Sequence, residues 1–155
     1  MSEAIIILGM HRSGTSCLTG CLSDFGLNLG AVSKSNKHNK KGNQENKDVF
    51  KLNEALLNYN NGSWRTPPLD PIIWDKELAT ERDNILKQYE DIPKPWGIKD
   101  PRMILAYNFW KPNLPPHHLI GTFRHPLAVN HSLLARTHKN LTMSEDQAFH
   151  LWKIY

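Results

Sequence analysis

The residues best placed to do chemistry stand near the start of the chain. Gly9-Met10-His11-Arg12-Ser13-Gly14-Thr15-Ser16 follows an apolar run and opens a helical pattern. Glycine, four residues, glycine is the spacing of a loop whose successive backbone N–H groups converge with a helix N-terminus on an oxyanion. A triphosphate-binding loop carries lysine at the position that is Thr15 here. Without that lysine on the β and γ phosphates, the loop suits a ligand whose 5′ end is less highly charged than ATP. Arg12, inside the loop, supplies a cation. A glycine-rich turn holding no ligand is the alternative reading.

A second group lies far along the chain. In Arg124-His125-Pro126-Leu127-Ala128-Val129-Asn130-His131-Ser132, an arginine stands at a predicted strand end and a serine two helical turns later. Both can then face the crevice at the carboxyl end of a parallel sheet, where ligands of open α/β folds bind. Arginine offers a planar fork of donors to a phosphate and serine a hydroxyl. Lys99-Asp100-Pro101-Arg102 closes another short apolar run, and Glu45 precedes an apolar helix.

These groups need elements to hold them. The β-branched run at residues 5–8 fits a strand buried on both faces of a parallel sheet. A helix follows from Thr15, with Cys17, Leu18, Cys21, Leu22 and Phe25 on its apolar face and Gly26 as its stop. Further helices are predicted at 44–59, 75–89, 103–110 and 127–137, and further strands at 96–99 and 118–123. Thr142 with Glu145, or Ser144 with Gln147, can form a capping box for a last helix, which places Ala148, Leu151, Trp152 and Tyr155 on one stripe. Alternating strands and helices predict a three-layer α/β domain with a central parallel sheet flanked by helices, like that of the P-loop NTPases.

Composition sets outer bounds. The chain has 155 residues and a formal charge of +4, which suits an anionic ligand as well as it suits nucleic acid. No aromatic-basic stripe or recognition motif favours nucleic acid. The two cysteines, four apart, form neither a metal knuckle nor a disulfide framework and read as packing residues. The eight histidines show no spacing of a zinc site. With no basic leader and no apolar run that could span a bilayer, a reduced cytoplasmic protein with no membrane partner is expected.

The two phosphate-type clusters, in this order and about 110 residues apart, resemble the sulfotransferase superfamily. Its members move a sulfuryl group from 3′-phosphoadenosine 5′-phosphosulfate (PAPS) to a hydroxyl or amine. Arg12-Ser13-Gly14-Thr15-Ser16 is similar to the family's 5′-phosphosulfate loop, and Arg124 with Ser132 to its 3′-phosphate site. Gly97-Ile98-Lys99-Asp100-Pro101-Arg102 resembles a Lys-Asp-Pro stretch whose lysine lies near the bridging oxygen of the donor. Lys41-Gly42-Asn43-Gln44-Glu45-Asn46 is similar to a Gly-x-x-Glu segment of bacterial relatives that share the Gly-x-His-Arg-Ser-Gly-Thr-Ser loop.

The resemblance implies PAPS as co-substrate, held by Arg12, Ser13, Gly14, Thr15, Ser16, Arg124 and Ser132. It implies Arg12 and Lys99 as charge-stabilising catalytic groups and Glu45 as the base, with His38 a weaker candidate and no metal required. Capping of the following helix is the competing role for Glu45. The acceptor would be a small molecule or a carbohydrate, with Trp64 and Trp74 suited either to stacking on a ring or to burial. Other functions open on these residues are a P-loop kinase, which Thr15 disfavours, and a non-catalytic nucleotide-binding module. Family members continue past the position where this chain stops, so residues 1–155 are expected to form a single, C-terminally incomplete domain. Its last apolar stripe is then expected to fray or to drive self-association.

Overall fold

A computed structural model of the protein describes residues 4–32, 42–135 and 143–155. The residues at 33–41, which include His38 and the lysines Lys34, Lys37, Lys40 and Lys41, and at 136–142, which include Thr142, lie outside the described residues.

The sheet has three parallel strands, β1 (Ala4–Leu8), β2 (Trp96–Lys99) and β3 (His117–Gly121), in the order β2-β1-β3. The run of isoleucines earns β1 the central position, because both of its faces are covered. Ile6 packs with α2 (Lys47–Tyr59), α3 (Lys76–Gln88) and α4 (Met103–Trp110), through Leu52, Ile85 and Phe109 among others. Ile7 faces the opposite way, onto Leu27 and Leu29 and the helix α1 (Thr15–Asp24). Helices therefore flank both faces of a parallel sheet, the α/β arrangement read from the sequence. The ladder runs from Ala4↔Trp96 to Ile7↔Lys99 on one side of β1 and from Ala4↔His117 to Leu8↔Gly121 on the other. The carboxyl ends of all three strands thus open at one edge, where the loop after β1 also lies.

Three local expectations are corrected. Cys17 and Cys21 are exposed, not packed. Thr15 and Thr19 are the buried residues of α1, and with half-buried Leu18 and Leu22 they make an i, i+3, i+4, i+7 stripe that turns the cysteines and Phe25 to the outside. Secondly, α2 begins at Lys47 and not at residue 44, because Asn46 caps it by accepting from the N–H groups of Asp48 and Val49. Thirdly, β3 ends at Gly121, so residues 122–125 form a loop ahead of α5 (Pro126–Leu134).

The last helix, α6 (Glu145–Ile154), starts on the Ser144–Gln147 capping box. Its stripe is covered within the chain: Ala148 and Leu151 are buried with Met10, Val129 and Leu133, and Trp64, Trp152 and Tyr155 pack against that cluster. Among the described residues no helix is long and apolar enough to cross a membrane.

Candidate functional site

The loop between β1 and α1 is shaped before any ligand is considered. Gly9 has φ 151°, and a Cβ there would run into Thr122, Thr15 and Ser13, so only glycine lets these side chains close on the backbone. Ser13 Oγ donates to Met10 O at 2.6 Å and lies 2.9 Å from Thr122 Oγ1. The Ser13 hydroxyl and its N–H, which donates to Met10 O at 3.2 Å, are thus both used in holding the loop, which leaves the start of α1 as the part able to meet an anion. Arg12 takes the left-handed region at φ 69° and Gly14, the cap of α1, at φ 97°. A helix N-terminus presents its first N–H groups outward, and here those groups belong to the loop.

A cavity of about 200 Å³ sits over this terminus, and its lining includes Arg12, Thr15, Ser16, Glu45, Lys99 and Arg102. Larger hollows lie between residues 65–69 and α6 and between α2 and α3, but none of the loop residues lines them. The small cavity is where cations and hydroxyls converge.

Lys99 ends β2 and is buried at the cavity floor. Its ammonium donates to Glu45 Oε1 at 2.7 Å, Asn43 O at 3.0 Å and Ser16 Oγ at 3.1 Å, so all three of its N–H bonds are matched. Asp100, the neighbour that a strand-end pair would suggest for Lys99, turns instead to Arg102. Glu45 is held just ahead of the Asn46 cap and accepts from Lys99, while the side chain that caps α2 is that of Asn46.

Behind this pair lies a network that sequence reasoning did not single out. Arg102 donates from Nε to Glu54 of α2 and from Nη1 to both oxygens of Asp100, and its guanidinium lies 4.5 Å from the centre of the Phe50 ring. Burial works against the charge on Arg102, but Asp100 and Glu54 outweigh it, and the pKa is raised. Burial pushes Asp100 up to about 6, with the nearby Arg102 opposing the shift. The local signal for part of this was Asp-Pro at a strand end, since Asp100 Oδ1 accepts from the N–H of Arg102 in a tight turn at 2.8 Å. Glu54 had no such signal, because it reaches Arg102 across 48 residues.

The second anion cluster meets the first through Arg12. Ser132, on α5, accepts from Arg12 Nε at 2.8 Å, and Arg124 Nη1 donates to Arg12 O at 3.0 Å. Arg124 is exposed and sits in the loop after β3, while Ser132 is half-buried. His11 and Trp64 close the other side of the cavity, their rings 4.5 Å apart, whereas Trp74 packs on Phe109 away from it. The structure therefore brings Arg12, Thr15, Ser16, Glu45 and Lys99 into one cavity and ties Arg124 and Ser132 to its rim. Among the described residues no group of three His, Cys, Asp or Glu side chains is placed to hold a metal ion. Compared with known proteins, the chain matches no family model, no curated protein and no solved structure.

Proposed function

We propose that this chain is a sulfotransferase that binds PAPS in a P-loop-like α/β fold and passes its sulfuryl group to a hydroxyl or amine acceptor. The observation that carries the reading is the meeting of Arg12, Ser132 and Arg124 beside the Lys99–Glu45 pair. A donor whose ribose carries a phosphosulfate at its 5′ position and a phosphate at its 3′ position needs two adjoining anion sites, and the bonds of Arg12 to Ser132 and of Arg124 to Arg12 bring the two groups together. The lining of the small cavity supports the same reading, since Arg12, Ser16 and Lys99 offer donors to an anionic group. Thr15, where a kinase would carry lysine, points the same way.

In the proposed reaction Glu45 accepts the proton of the acceptor hydroxyl or amine as its oxygen or nitrogen bonds to sulfur. The bond from sulfur to the bridging oxygen breaks, and the electron pair leaves with the 5′-phosphate of adenosine 3′,5′-bisphosphate. Lys99, Arg12 and the N–H groups at the start of α1 stabilise the charge that develops there. Arg124 and Ser132 hold the 3′-phosphate. The acceptor is a small molecule or carbohydrate, and the protein works in the cytoplasm.

Thermal-shift titrations with adenosine 3′,5′-bisphosphate, ATP and an oligonucleotide test the proposal. Stabilisation by the bisphosphate above the other two is expected. A larger shift with ATP returns the chain to the kinases, and a larger shift with the oligonucleotide to nucleic-acid binding.

A further inference from the structure

The helix α6 touches both ends of the cleft formed by the two anion clusters. It is fixed on α5 by Ala148 and Leu151 against Val129 and Leu133, and by Asn130 Nδ2 donating to Glu145 O at 3.1 Å. From that base it sends two side chains outward. Trp152 Nε1 donates to the carbonyl of Arg124 at 3.3 Å, and its ring stands edge-on to Phe123 with centroids 5.8 Å apart. Tyr155 donates from its hydroxyl to the carbonyl of Trp64 at 3.1 Å, and its ring stands edge-on to His11 at 5.8 Å. Burial pushes the Tyr155 hydroxyl up, so it remains a donor at any working pH.

Ala148 and Leu151 are the buried residues of the helix, and Trp152 and Tyr155, packed against the same cluster, reach beyond it. What the contacts do is fix backbone at two places. One is the loop at 122–125, which lies between β3 and α5, is tied to the end of β1 by Thr122 N–H donating to Leu8 O at 2.9 Å, and carries Arg124 just ahead of α5. The other is Trp64, which lines the cavity over the phosphate loop. A long side chain such as arginine delivers a directed charge only where its backbone is held.

We propose that Trp152 and Tyr155 are positioning residues, Trp152 acting through Arg124 on the 3′-phosphate and Tyr155 acting through Trp64 on the 5′ end. This rests on the sulfotransferase reading of the two clusters. It makes Trp152 a determinant of selectivity for nucleotides carrying a 3′-phosphate.

Calorimetric titration of adenosine 3′,5′-bisphosphate and of AMP tests this on wild type, Trp152→Phe, Tyr155→Phe, Arg124→Ala and the double variant Arg124→Ala, Trp152→Phe. Phenylalanine at 155 removes only the hydroxyl, whereas at 152 it removes the indole N–H together with part of the ring area that meets Phe123. Trp152→Phe is expected to weaken the bisphosphate about fivefold, the worth of one ordinary hydrogen bond, and to leave AMP unchanged. In the Arg124→Ala background the same substitution is expected to cost nothing further. Tyr155→Phe is expected to weaken both ligands by the same factor. AMP binding serves as the check that the Trp152 and Arg124 variants are folded, and the thermal midpoint without ligand as the check for Tyr155→Phe; a folded Tyr155→Phe protein that binds both ligands as tightly as wild type overturns the role of Tyr155. A Trp152→Phe protein that keeps its full preference for the bisphosphate, or loses both ligands equally, or loses as much again without Arg124, overturns the positioning role. A wild-type protein that binds AMP as tightly as the bisphosphate overturns the donor reading instead, and that failure is visible before any variant is made.

Discussion

Arg12 Nε donates to Ser132 Oγ at 2.8 Å, across 120 residues of chain. A hydroxyl that accepts from a guanidinium still has its own proton to give to an anion. Arg124 donates to the Arg12 carbonyl, so Arg12 is the corner of a triangle of residues that is bonded to both of the others. The loop after β1 is thus joined to α5 and to the loop ahead of it.

The first expectation concerns that triangle. Arg124→Ala should weaken adenosine 3′,5′-bisphosphate by about 1.5–3 kcal/mol, the scale of a hydrogen bond to a charged group, and leave AMP nearly unchanged. Titration of both nucleotides measures it. Equal losses would place Arg124 at the loop, through its bond to Arg12 O, and take it off the 3′-phosphate.

The second expectation concerns Glu45 and Lys99. Because all three N–H bonds of Lys99 have protein acceptors, contact with a leaving phosphate requires it to exchange one of them. Glu45→Gln preserves an acceptor for Lys99 and removes the base. Turnover should fall by about 10²-fold or more, with donor affinity unchanged. Lys99→Ala should also lower turnover, chiefly through the transition state. Radiolabelled sulfate transfer to a panel of hydroxyl and amine acceptors reads both. Near wild-type turnover in Glu45→Gln would move the base elsewhere, with His38 the next residue to test.

Much of this was legible where the determinants are local. Gly9 and Gly14 frame the loop by spacing alone, the isoleucines of β1 announce a doubly covered strand, and the Ser144–Gln147 box marks the start of α6. What failed to show in the sequence depends on contacts far along the chain. Cys17 and Cys21 have helical spacing, but the rotation of α1 is set by Thr15 tucked under the loop. The Arg102 network needs Glu54 from another helix. The stripe of α6 was readable, yet nothing local says that Met10 and Val129 cover it.

The third expectation follows from Asp100, whose ordinary value of 3.8 is pushed up to about 6 by burial. Between those two values the folded protein holds more protons at this site than the unfolded chain. The stability Asp100 contributes is therefore fully present below 3.8 and is lost as pH rises through about 6. Asp100→Asn has no such dependence. From pH 7 to pH 5 the stability of wild type relative to Asp100→Asn should rise, by roughly 1 kcal/mol. Urea denaturation of both proteins at the two pH values measures it, and parallel stabilities would show that the buried carboxyl does not titrate in this range.

The last expectation concerns α6. Leu151 is 1% exposed and Ala148 fully buried, in contact with a cluster drawn from the loop after β1 and from α5. An apolar stripe covered in this way gives a helix no reason to seek a second copy. The thermal midpoint of the wild-type protein should then be independent of protein concentration, because only an associating native state gains stability by mass action. Leu151→Ala should lower stability by about 2–5 kcal/mol, the cost of emptying a filled core position. Its loss should be the same at low and high protein concentration. Light scattering alongside the denaturation curves separates the alternatives: a dimer whose midpoint climbs with concentration, and which Leu151→Asp or Trp152→Asp returns to monomer, would show that the stripe is shared between chains.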